Sequence, residues 1–184
     1  MVDFDKNKKK YTIVAIVAIL FMGFMGYAFS EVFRGMLGLT TDISTKEEKQ
    51  TEIFIIETRR HWTDAQKGFK AGKKQTIIAR SASMDVESVI SEYVTILEDI
   101  KTERPSYKFK NDNNIKLSKN VDSLMDNAIL ELEHSIKSSN EIDYQKHIDM
   151  ANTQIKMANK YFLEISRNNG YNDIRPLDDV SASF

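Results

Sequence analysis

The chain has 184 residues, with 26 lysines and arginines against 27 aspartates and glutamates, a formal net charge of −1, and no cysteine. The missing thiols exclude disulfides, thiolate nucleophiles and Cys-ligated zinc or iron–sulfur sites. The balanced charge excludes a general polyanion binder, and seven glycines with two prolines are too few breakers for anything but long helices.

The first element is the run Tyr11–Phe29, nineteen residues without a charge behind Lys6, Lys8, Lys9 and Lys10. As a helix it extends about 28 Å, close to the ~30 Å hydrocarbon core of a bilayer. Arg34 is the only basic residue between Val32 and Thr45, so the positive-inside bias keeps the N-terminus cytoplasmic and places the chain beyond Ser30 outside. A cleaved secretory signal is the alternative, with Ala28-Phe29-Ser30 as the processing site. Ala15, Gly23, Gly26 and Ser30 fall on one face of this helix, the small-residue pattern that lets transmembrane helices approach closely. The next segment contains FRGMLGL and is expected at the membrane interface.

A first long helix is predicted over 43–78, with Ile55, Trp62, Ala65, Phe69 and Gly72 at helical spacing and a place for a break at Gly68 or Gly72. A second, over 84–103, carries Val86, Val89, Ile90, Tyr93, Leu97 and Ile100 on one face, with Ser83 as cap and Pro105 as stop. The stretch PSYKFKNDNN reads as a polar connection. A third helix over 115–137 buries Leu117, Val121, Leu124, Met125, Ala128, Leu132 and Ile136. In the fourth, Tyr144, Ile148, Ala151, Ile155, Ala158, Phe162 and Ile165 alternate four and three apart, an a/d seam. Asn140 and Asp143 cap it, and Asn169-Gly170 ends it before a C-terminal arm.

The expected fold is therefore all-α: a single N-terminal transmembrane helix followed by an extracytoplasmic antiparallel four-helix bundle. Its parts are a cytoplasmic basic tail (1–10), the membrane helix (11–30), an interfacial linker (31–42), the bundle (43–168) and a tail (169–184).

Three constellations bear on chemistry. Glu131 and His134 have the Glu-x-x-His spacing of di-iron bundles, and Glu57 with His61 and Asp143 with His147 are the nearest partners. Wheel arithmetic turns His134 about 140° from the Val121/Ala128/Leu132 face, so the histidines read as surface residues and no metal or cofactor is expected. Glu131 and Glu133 likewise read as solvent-facing charge. The run Gly68-Phe-Lys-Ala-Gly72-Lys73-Lys74 is one residue short of a P-loop and follows no strand, a chance match. Between Arg59 and Arg80 lie seven basic residues and one acid, Asp64. Arg59, Arg60, Lys67, Lys70, Lys73 and Lys74 either pair with acidic neighbours inside the bundle or form a docking surface for an acidic partner or lipid headgroups. No G-x-S-x-G elbow is present, and no enzymatic activity is expected.

These features describe a non-catalytic, single-pass accessory subunit of a larger membrane complex, of the kind found in respiratory or membrane monooxygenase assemblies. Its expected partners are the bilayer and other integral membrane proteins or a second copy, not nucleic acid. The small-residue face, the FRGMLGL segment and the C-terminal tail are the expected contacts. The alternative is an extracytoplasmic ligand-sensing or binding four-helix bundle.

Overall fold

The computed structural model describes residues 46–103 and 106–181. The basic tail, the transmembrane helix with Ala15, Gly23, Gly26 and Ser30, and the interfacial linker lie outside the described residues. Among those described, no helix is long and apolar enough to cross a membrane.

Four helices make up the described part, without strands: α1 (46–81), α2 (Val86–Thr102), α3 (Asp112–Lys137) and α4 (Glu141–Asn168). The all-α bundle is as expected, and the cross-contacts give its directions. Gly68 of α1 faces Ile96, Leu97 and Ile100 of α2, whereas Gly72 faces Tyr93, so α1 and α2 run antiparallel. Glu47 bonds to the start of α3 and Arg80 reaches Ser138 at its end, so α1 and α3 run the same way. Phe54 meets Phe162 and Phe69 meets Tyr144, which sets α4 antiparallel to α1. The order is up, down, up, down.

The boundaries follow capping chemistry. The α2 cap is Asp85 rather than Ser83; its carboxylate accepts from the backbone N–H groups of Glu87 and Ser88. Ser83 instead occupies the tight α1–α2 turn at φ 52°. Asn111 caps α3, which starts at Asp112, earlier than the apolar pattern alone implies. Asn140 caps α4 as predicted, and Gly170 follows it at φ 89°, the left-handed conformation a helix C-terminus commonly takes.

α1 does not break at its glycines. At Gly72 a Cβ would lie 2.8 Å from the Cβ of Tyr93 and 2.9 Å from Ile136 Cδ1, so this glycine lets α2 and α3 close on α1. At Gly68 the nearest atoms would be 3.5 Å away, ordinary contact. The a/d seam of α4 is buried throughout, from Tyr144 to Ile165, against Trp62 and Phe69 of α1 and Ile129 and Leu132 of α3.

Two non-helical segments depart from the sequence reading. The connection before α3 is not simply polar. Tyr107 and Phe109 insert beside Phe54, with ring centroids 5.0 and 5.6 Å from it. The backbone N–H groups of Ser106, Lys110 and Asn111 donate to Glu57 and Glu47 of α1, and that of Lys108 donates to Gln50. The C-terminal arm docks on its own domain, burying Leu177 and Val180. Asn159 exchanges two hydrogen bonds with the backbone of Leu177 (2.7 and 3.0 Å), and Asn152 exchanges two with Val180 (2.6 and 3.2 Å). From Asn152 to Asn159 the helix advances about 10.5 Å. Three residues of extended chain advance about 10 Å, so the two asparagines match the arm's register.

Gly72→Ala is expected to cost roughly 1–2 kcal/mol, overpacking outweighing the helix-propensity gain. Gly68→Ala should gain up to about 1 kcal/mol; urea unfolding of both variants tests this opposition of sign. By the same measurement Asn159→Ala should cost about 1–3 kcal/mol, because it strands the N–H and C=O of Leu177.

Candidate functional site

The six basic residues predicted for docking divide into two groups. The Arg59 guanidinium lies 5.6 Å from the centroid of Phe162 and donates to the backbone carbonyl of Arg175, holding the C-terminal arm. Lys73 sits with its Nζ 3.2 Å over the Tyr144 ring, a cation–π contact, and burial lowers its pKa against the opposing pull of Glu141. These two serve the bundle. Arg60, Lys67, Lys70 and Lys74 remain exposed. At 100° per residue they share an arc of about 80° on α1. Lys67 makes an exposed pair with Asp64 at 3.2 Å, a contact of little energetic weight. Exposed Ile56, Ile77 and Ile78 lie on or beside the same arc, at the two ends of this stripe.

A small cleft of about 160 Å³ opens where α1 meets the α3–α4 turn, lined by Lys73, Thr76, Arg80, Ser138, Asn140 and Tyr144 among others. The hydroxyls of Thr76 and Tyr144 are buried there without a hydrogen-bond partner among the described residues. Burial, with the charge of Glu141 adding, pushes the Tyr144 phenol up to about 12. Tyr107 is raised further still by its own burial, by the charge of Asp122 and by its 2.6 Å hydrogen bond to that carboxylate.

Two of the carboxylates weighed as metal partners are engaged elsewhere. Glu57 is taken by the backbone and hydroxyl of Ser106, and Asp143 is bonded to its cap Asn140. The Glu-x-x-His pair itself, Glu131 and His134, does converge with His147. His147 Nδ1 lies 2.6 Å from Glu131 Oε2, and His134 Nδ1 lies 4.0 Å from that same oxygen. The two imidazole centroids are 5.2 Å apart. The side chains of Glu131, His147 and His134 are 14, 23 and 43% exposed.

Glu131 is therefore not solvent-facing charge, and neither is Glu133, which is 2% exposed and bonded to Lys101 at 3.0 Å. The reason is the place of α3 in the bundle. Its flanks are covered by α2 on one side and α4 on the other, so residues about 100° from the central stripe turn into helix–helix boundaries. A wheel drawn for one core stripe misses this. The usable signal is that Glu131 and His134 share one flank and His147 is the seventh residue of the partner helix.

An unfolded tyrosine ionises near pH 10, so from about pH 10 to 12 the unfolded chain sheds protons that folded Tyr144 keeps. Fewer protons on the unfolded state mean that stability falls as pH rises through this window. Thermal melts from pH 8 to 12 should show that loss. Tyr144→Phe should stay within about 1 kcal/mol of the parent at pH 7 and lose less in the alkaline window.

No protein-family model, no curated protein and no solved structure matches this chain, so its function has to be read from its own residues.

Proposed function

We propose that this protein is a non-catalytic, single-pass membrane accessory subunit, its helical domain outside the cytoplasmic membrane and part of a larger membrane protein complex. The observation that carries the reading is the stripe of Arg60, Lys67, Lys70 and Lys74, exposed on α1 and bounded by exposed isoleucines. The bundle leaves this face outward while it employs Arg59 and Lys73 internally. Four cations on one arc, with apolar contacts at the ends, suit an acidic protein surface that supplies charge for orientation and apolar area for affinity. The uncharged run Tyr11–Phe29 behind four lysines supports the anchor and its orientation. Ala15, Gly23, Gly26 and Ser30 would pack it against other membrane helices or a second copy.

A second reading, an extracytoplasmic ligand-binding bundle, is favoured by one feature, the cleft holding the buried hydroxyls of Thr76 and Tyr144 beside Lys73 and Arg80. Its volume suits only a small ligand.

Purification through this chain from native membranes in mild detergent should bring down other integral membrane proteins in fixed ratio, identified by mass spectrometry. Replacing Arg60, Lys67, Lys70 and Lys74 together with glutamate should lower that recovery about tenfold or more without moving the unfolding midpoint. Recovery of the chain alone, with a mass starting near Glu31, would sink the anchored-subunit reading in favour of a secreted binding module.

A further inference from the structure

The convergence of Glu131, His134 and His147 is independent of the membrane reading; pairing across the α3–α4 boundary accounts for Glu131 and His147 but not for His134 beside them. One ligand atom from each lies within 4.8 Å of those of the other two. Glu131 and His134, three apart on α3, rise from the same flank of that helix, and His147 comes from the first turns of α4 across the short α3–α4 link. We propose that these three side chains form a binding site for a zinc-class divalent transition cation.

The donor set selects the ion. Two imidazoles with one carboxylate suit zinc, cobalt or nickel, whereas magnesium and calcium demand oxygen ligands. Two imidazoles and one carboxylate also match the three-ligand sites that hold zinc with one coordination position left to water. The exposed flank of His134 is where that position would open, giving a site reachable from solvent.

The geometry needs little adjustment. Without the cation, a hydrogen bond joins His147 Nδ1 and Glu131 Oε2 at 2.6 Å. Bonds of about 2.0–2.2 Å at tetrahedral angles set ligands roughly 3.3 Å apart. The bridge therefore widens by a fraction of an ångström while His134, less buried than the other two, swings in from 4.0 Å. The cation takes the place of the hydrogen between His147 and Glu131, the neutral imidazole of His147 then carrying its one N–H on Nε2, and ties α3 to α4. Among the described residues, the remaining histidine, His61, lies on α1 outside the cluster and is an internal control.

The test uses the full chain in mild detergent, carrying an affinity tag without histidine and stripped with chelator. Zinc is titrated in competition with a chromophoric chelator, and cobalt is followed by its visible d–d absorption. One equivalent per chain is expected, with the intensity of low-coordinate cobalt and a rise in melting temperature that excess magnesium does not reproduce. His134→Ala is the fold-safe variant, being the most exposed of the three. It and Glu131→Gln should each weaken zinc binding about tenfold or more, while His61→Ala leaves it unchanged. Failure to take up one equivalent, uptake that survives His134→Ala in a folded protein, or loss of uptake with His61→Ala would each overturn the site and leave Glu131–His147 as a plain interhelical hydrogen bond.

Discussion

The constraint on which the domain depends is that backbone leaving a helix must still find hydrogen-bond partners when it is buried. There is no sheet among the described residues to receive it, so α1 and α4 supply the partners from side chains. Along α1, Glu47, Gln50 and Glu57 accept from the backbone of residues 106–111, and Arg59, Trp62 and Gln66 donate to carbonyls between Arg175 and Asp179. Acceptors therefore precede donors along one helix, each set facing a different extended segment. α4 completes the arrangement with Asn152 and Asn159, whose amides both give and take. Phe109, Leu177 and Val180 can be buried, and Tyr107 half-buried, because these polar positions hold the chain beside them.

This explains which parts of the fold were legible from sequence. The seam from Tyr144 to Ile165 repeats without exception, and every member is buried, because periodicity reports on one face of one helix. The α1 stripe from Ile55 to Phe69 was legible for the same reason. The connection at 106–111 was not, since its pattern of small polar and charged residues conceals two aromatics whose packing depends on acceptors 49 to 64 positions earlier in the chain. The arm was no clearer. Its docking is set by the spacing of two asparagines on another element, and an amide on a helix surface carries no mark of what it binds.

The candidate sites were legible to different depths. Clustering of cations on α1 was visible, but not the division of labour within it, because Arg59 and Lys73 are distinguished from their neighbours only by the ring each meets, Phe162 and Tyr144. The histidine cluster was obscured by assuming that a helix has one buried stripe and one wet face. α3 has three neighbours, so Glu133 turns toward α2 and Glu131 toward α4. Each carboxylate at such a boundary requires a partner, since burying it unpaired costs far more than exposing it. Lys101 meets one and His147 meets the other.

The location of these features bears on how the domain could work. The histidine cluster, the cleft with its two buried hydroxyls and the Arg80–Ser138 contact all gather around the short link between α3 and α4. The link itself is tight: Ser138 donates to the backbone of His134, and Asn140 holds the first turn of α4. A group bound on either side of so short a link would bias the same hairpin without needing to move the core, because Tyr144 lines the cleft and His147, one turn further along α4, belongs to the cluster. The exposed stripe of α1 ends at this end of the bundle too, with Lys74 one residue from Lys73 and two from Thr76 of the cleft. A partner docked along α1 and an ion held between α3 and α4 would thus act on adjoining parts of one rigid end. That arrangement gives the proposed accessory subunit a physical route by which occupancy of a small site could alter the presentation of a protein-binding face.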